Sequence, residues 1–164
     1  MSVSETHIHV RSANLSDQAF IVQFNARLAE ESEGKTLDLA VLENGVKQAL
    51  TNSGRLRYWI AEVGGQVAGQ AAISWEWSDW RNGWIWWLQS VYVQTPYRGV
   101  GVFRSLLAEI QNSARVEQDV IGLRLYVEDH NLAAHKVYQA VGFQPGGYQV
   151  YELFWGQADS AVPE

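Results

Sequence analysis

Two hydrophobic rhythms divide the chain. Between Arg57 and Val93 lie three strand-like apolar runs, RYWIAEV (57–63), QVAGQAAISWEW (66–77) and WIWWLQSVYV (84–93). Gly64-Gly65 separates the first two and is a hairpin signal; SDWRNG (78–83) separates the next pair as a longer turn, so the three runs predict an antiparallel meander. On either side the spacing becomes helical. Phe20, Val22, Phe24, Leu28 and Ala29 give one apolar side to a first helix, with Ser16 as its expected N-cap and Gly34 at its end. LDLAVLENGVKQAL (37–50) predicts a second helix. Val102, Phe103, Leu106, Leu107, Ile110 and Ala114 share a face of a third, with Arg104, Glu109 and Gln111 opposite. HIHVRSA (7–13) reads as a first strand, GLRLYV (122–127) as a further one, NLAAHKVYQAVGF (131–143) as a short helix ending at Gly142, and YQVYELFW (148–155) as a last strand. The expected order is β-α-α-β-β-β-α-β-α-β. It makes an α+β domain over residues 1–156 and a flexible tail over 157–164.

Composition narrows the function classes. At 164 residues, 47% hydrophobic and 18% charged, the chain is globular and sized for one domain. It has no Cys, which excludes a disulfide scaffold and Cys-ligated zinc or iron–sulfur sites. The His residues have no metal-triad spacing, so no metal is expected. No apolar run approaches the roughly 20 residues of a membrane span, and MSVSETHIHV lacks the regions of a signal peptide. A cytoplasmic protein without a membrane partner is therefore expected. The formal net charge of −6 disfavours nucleic acid and suits a cationic small molecule better.

One stretch carries chemistry. In VQTPYRGVGVFRSLLAEI (93–110) a strand stops, two glycines follow, and a helix starts. A helix N-terminus offers unpaired N–H groups and the positive end of the macrodipole, so an anion can bind there. Gly99 and Gly101 let the backbone approach phosphate oxygens, and Arg98 adds a side chain suited to phosphate. The Lys-Ser/Thr pair of a nucleotide P-loop is missing, and the glycine spacing of a dinucleotide fold fails.

Arg98 and Gly101 resemble motif A (Arg/Gln-x-x-Gly-x-Gly/Ala) of the GNAT superfamily of N-acetyltransferases, with Phe103 in the last place. Asn131, Ala134, Tyr138 and Gly142-Phe143 resemble its motif B, and the succession of elements resembles its fold. The resemblance implies a single mixed central sheet with an antiparallel N-terminal meander, about four flanking helices, and two splayed parallel strands that form an acetyl-CoA cleft. It implies that backbone groups of Val91, Tyr92 and Val93 bond the pantetheine arm and polarise the thioester. It further implies that N–H groups of Gly99, Val100, Gly101, Val102, Phe103 and Arg104 hold the pyrophosphate. Arg104 is either a phosphate contact or an ordinary surface charge. Asn131 would reach the pantetheine, and Tyr138 would protonate the leaving thiolate after a tetrahedral oxyanion forms.

Strand alternation puts Glu76 with Ser74 and Ser78 on one face and Trp75 with Trp77 on the other. A carboxylate among so many rings suits a base acting through water; Asp79 is the alternative and is also a natural turn residue. Glu30, Glu31 and Glu33 at the end of the first helix oppose its dipole, and near the family's acceptor site they would attract a cationic amine. Trp75 and Trp77 supply either an aromatic wall for that acceptor or core packing with a homodimer contact. The expected activity is acetyl transfer to a small amine. The alternatives are acetylation of a protein N-terminus or lysine, and a non-catalytic CoA- or ligand-binding module.

Overall fold

The computed structural model describes residues 7–155, and the tail expected over 157–164 lies outside them. The chain forms two compact units, Met1–Asn131 and Leu132–Glu164.

The first unit is built on a five-stranded sheet in the order β1-β2-β3-β4-β5: β1 (Ile8–Ser12), β2 (Arg57–Val63), β3 (Gln66–Ser78), β4 (Gly83–Val93) and β5 (Val120–Leu125). Neighbouring strands are antiparallel from β1 to β4, whereas β5 runs parallel to β4. Three helices cover it: α1 (Gln18–Glu33), α2 (Leu39–Thr51) and α3 (Val102–Val116).

Residue alternation sets the two faces. Ile21 of α1 and Val46 and Ala49 of α2 pack with Tyr58, Ile60 and Ala72 of the sheet. From Gly69 onward, even-numbered positions of β3 therefore face α1 and α2, and odd-numbered ones face α3. Each fully buried residue of this kind, such as Ile21, is worth about 1.5–3 kcal/mol. On the other face α3 buries Val102, Leu106, Leu107 and Ile110. It sits so close at Gly69 that an added Cβ would stand 2.7 Å from the Tyr92 carbonyl oxygen and 3.2 Å from Val102 Cγ1.

Caps decide the helix ends. The N-cap position of α1 is Asp17, not the expected Ser16, and the side-chain cap sits one turn earlier, on Asn14. Ser16 N–H donates to Asn14 Oδ1 at 2.9 Å, and Asn14 N–H donates to Asp17 Oδ2 at 2.8 Å, closing a reciprocal box over the turn Leu15–Asp17. Asn14 wins because its amide oxygen reaches the free N–H groups while the Ser16 hydroxyl is itself a donor to Asn14. Buried Asp17 also takes two hydrogen bonds from the Arg11 guanidinium, at 2.8 and 2.9 Å. Gly34, at φ 65°, ends α1 as expected.

Two register shifts interrupt the meander, one between β2 and β3 at Ala61-Glu62 and one between β3 and β4. Gln70 pairs with Tyr92 and Ala72 with Gln89, so Ser90 and Val91 together oppose Ala71. This is a β-bulge, and Ser90 adopts a left-handed φ of 53° within it.

The second unit holds α4 (Leu132–Ala140), which closes on Gly142 at φ 100°. Phe143 N–H donates to the Tyr138 carbonyl at 3.0 Å, and the Phe143 ring stands edge-on to the Tyr138 ring at 5.9 Å. The last strand expected over 148–155 does not form. An alternating pattern fits a strand, but a strand exists only through a hydrogen-bonded ladder, and residues 148–155 form none within this unit.

Candidate active site

The parallel pair β4–β5 is bonded only from Trp84–Val120 to Leu88–Leu125. Beyond Leu88, β4 continues through Gln89, Ser90, Val91, Tyr92 and Val93 with β3 alone beside it, so the two parallel strands part. The bulge at Ser90-Val91 falls at that parting and bends β4 there. Past Val93 a short turn (Thr95–Tyr97) leads to Arg98, Gly99, Val100 and Gly101, and then to α3.

Gly99 and Gly101 stand at φ 80° and 99°, where an L side chain is strained. A Cβ added at Gly99 would meet nothing within 4 Å, so the glycines are required by backbone direction and leave the surface open. Among the described residues, the hydrogen bond that closes the first turn of α3 runs from Ser105 N–H to Gly101 O at 3.0 Å. The N–H groups from Val102 to Arg104 have no carbonyl one turn earlier within the helix. They form the positive end of a 15-residue helix, which follows the end of β4 directly. Arg104 is exposed.

The Arg98 side chain is already engaged. Its Nη2 donates to Glu31 Oε2 at 2.6 Å, its Nε donates to the Val93 carbonyl at 2.8 Å, and its guanidinium lies 5.6 Å over the Tyr92 ring. Tyr92 Oη in turn donates to Glu31 Oε1 at 2.8 Å. Arg98 holds the Glu31 carboxyl below the usual carboxylate range, and burial, with Glu31 beside it, pushes the Tyr92 phenol up. The Arg98 side chain thus bolts the end of β4 to α1 and leaves the loop its backbone N–H groups. Of the three acids expected at the acceptor, Glu31 is occupied by this bolt and Glu33 pairs with Lys35 at 2.8 Å; Glu30 is exposed at the same helix end. The Val93 carbonyl expected to bond pantetheine carries the Arg98 contact.

Glu76 lies on the face shared with α1 and α2, opposite Ile85. Its Oε2 accepts from Trp87 Nε1 at 2.8 Å and from Arg124 at 3.0 Å, and its side chain is 41% exposed. The enclosing rings foreseen from the sequence are therefore replaced by one indole N–H, a guanidinium and solvent. Glu76 is five residues along β3 from Ala71, which faces the bulge, or roughly 16 Å of strand. Any proton it takes from a group at the bulge must travel through water. Trp75 and Trp77 lie on the α3 face, opposite to Glu76. Trp75 instead stacks under Arg57, whose guanidinium lies 5.4–5.9 Å from the rings of Trp59, Trp75 and Trp86 and also pairs with Glu117. Trp77 meets Trp84 edge-on at 5.1 Å.

A model of the acetyltransferase (GNAT) family matches residues 17–143. The chain belongs to that family. The solved structure of a possible acetyltransferase from Clostridium difficile 630 is 39% identical, with 90% of this chain and 97% of that one aligned at a TM-score of 0.83. A predicted acetyltransferase from Clostridium acetobutylicum, solved with acetyl-CoA, is 21% identical at a TM-score of 0.74, over 90% of this chain and 96% of that one. No curated protein matches the sequence. The parallel β4–β5 pair and the mixed five-stranded sheet of this GNAT protein agree with the fold the motifs implied.

The motif B residues have defined local settings. Asn131 N–H donates to the Glu128 carbonyl at 3.0 Å and closes the turn before α4. Tyr138 is half-buried on α4, and burial raises its phenol above the ordinary range. Among the described residues no group of three or more His, Asp or Glu is placed to hold a metal. No helix there is long and apolar enough to cross a membrane.

Two clusters escaped the sequence reading of this GNAT protein. Gln70, fully buried on β3, donates from Nε2 to Asn25 Oδ1 at 2.8 Å and to the Ser90 carbonyl at 3.0 Å. Asn25 Nδ2 also donates to Tyr58 Oη at 3.3 Å, so the group ties α1, β2 and β3 to the bulge. Further down the same face, Trp87 and Tyr126 stack at 4.4 Å, with Arg124 over Trp87. Both clusters join residues distant in sequence. Only the polar Gln70 inside an apolar run hinted at the first.

Proposed function

We propose that this protein moves an acetyl group from acetyl-CoA to the primary amine of a small cationic molecule. The observation that carries the reading is the gap between β4 and β5 opening beside the glycine-bent first turn of α3. Such a gap admits an extended thioester arm, and the N–H groups from Gly99 to Arg104 suit a diphosphate. A protein of the same fold solved with acetyl-CoA supports this use. Val91 and Tyr92, at the open edge, would bond the arm and polarise the thioester carbonyl. The amine nitrogen forms the new bond to the acetyl carbon, the carbon–sulfur bond breaks, and Tyr138 gives its proton to the departing sulfur. The proton lost by the amine passes through water, with the part-exposed carboxylate of Glu76 as its proposed acceptor. Exposed Glu30 and the acidic surface favour a cationic acceptor.

Calorimetry with CoA and acetyl-CoA tests the first half, and thiol release across a panel of polyamines, amino acids and peptides tests the second. Binding with turnover on small amines is the expected result. Absence of binding overturns the reading, and turnover confined to peptides replaces the acceptor class.

A further inference from the structure

The amide of Gln70 links α1 to the bulge from inside the core. It sits in an apolar stretch of β3 with 0% exposure, and its Oε1 has no hydrogen-bond partner among the described residues. A buried acceptor left unpaired is a cost that an apolar side chain of the same size would avoid. What the amide does supply is its N–H₂ group. One hydrogen is anchored by Asn25 of α1 and the other grips the carbonyl of Ser90.

That carbonyl belongs to the one peptide unit the bulge frees from regular pairing. Ser90 is a non-glycine residue at φ 53°, a conformation that persists only where surrounding contacts enforce it. The peptide plane from Ser90 to Val91 is rigid and trans, so its C=O and N–H point in opposite directions. Fixing the Ser90 oxygen on Gln70 therefore turns the Val91 N–H away from Gln70, at the point where β4 has lost β5 as a neighbour.

We infer that Gln70 is a positioning residue: through the Ser90 carbonyl, and braced by Asn25, it aims the Val91 N–H at the thioester carbonyl. The inference rests on the acetyl-CoA reading above and adds a residue that neither sequence motif contains. The donor is set before the coenzyme arrives, so no reorganisation is needed when the oxyanion develops.

The test is difference infrared spectroscopy of acetyl-CoA carrying a ¹³C label at the acetyl carbonyl, bound to wild type, Gln70→Met and Asn25→Ala. Methionine keeps the volume and removes the donor. In wild type the labelled carbonyl band is expected below its position in free acetyl-CoA. In Gln70→Met it returns toward the free position, turnover with the best amine falls about 10- to 100-fold, and the Kd for CoA stays within threefold. Asn25→Ala, which retains the Gln70–Ser90 bond and loses its brace, gives an intermediate band. A Gln70→Met protein that binds with an unshifted wild-type band and full turnover overturns the inference while leaving the acetyltransferase reading intact. Failure of wild type to bind acetyl-CoA overturns that reading instead. Should Gln70→Met not fold, a wild-type band position in Asn25→Ala overturns the inference.

Discussion

At the scale of single residues, the strongest constraints are ion pairs and hydrogen bonds made across long sequence separations. Asp17 is 3% exposed, and the Arg11 guanidinium holds its carboxyl below the ordinary range, against the opposing effect of burial. A carboxyl depressed on folding stabilises the protein above its unfolded value of about 3.9, and that stability is lost as pH falls through the folded value. Asp17→Asn is therefore expected to cost about 1.5–3 kcal/mol at neutral pH in denaturant titration and to flatten the acid limb below about pH 4. Tyr138 behaves oppositely: burial keeps its phenol protonated, so its proton is available at all pH values up to about 10. Tyr138→Phe should lower kcat at least tenfold with CoA affinity unchanged, and the wild-type kcat profile should show no limb from this group below that pH. Glu76→Gln removes the pair with half-exposed Arg124, an effect on stability of about 1 kcal/mol or less. A fall in kcat well beyond that, with unchanged CoA binding, is expected if Glu76 accepts the proton; wild-type turnover removes it from the path. Residue identities such as Asn131 and Tyr138 stood out through motif spacing. The pairing of Glu76 with Arg124 could not, since alternation fixes a face and says nothing about which partner arrives there from 48 residues away.

At the scale of elements, period and punctuation were enough to place most of the fold. β2 begins and ends where its apolar run does, Gly34 stops α1, and α3 starts at the glycine turn. What stayed hidden depended on neighbours. The bulge at Ser90-Val91 carries no glycine to announce it, and its Ser90 carbonyl is held by Gln70, a partner 20 residues away. The expected strand over 148–155 failed for the reverse reason, a suitable pattern without a ladder. The loop between β4 and α3 gives a direct test of element geometry. Gly101→Ala has space for its methyl group, with only Ile8 Cδ1 at 3.8 Å, yet is strained at φ 99°. It should cost about 1 kcal/mol of stability and weaken CoA binding at least tenfold in calorimetry, because the α3 N–H groups are turned from their direction.

At the scale of the whole molecule, the sheet divides labour between its faces. The α1–α2 face carries the buried amide cluster, Glu76 and the Trp87–Tyr126 stack, while the α3 face carries most of the indoles as packing around Arg57. A ligand seated in the gap and on the α3 turn binds only the folded chain, so CoA at 100 times its Kd should add about 2.7 kcal/mol of stability. For a chain of this length that raises Tm by roughly 5–10 °C, readable by calorimetry. The edge-to-face contact of Trp77 and Trp84, across the far end of the β3–β4 hairpin, has a consequence of another kind. Two indoles held at a fixed mutual angle couple their electronic transitions and produce a signed doublet in circular dichroism. The hairpin thus carries its own optical gauge, whose amplitude reports local opening at that end separately from events at the coenzyme cleft.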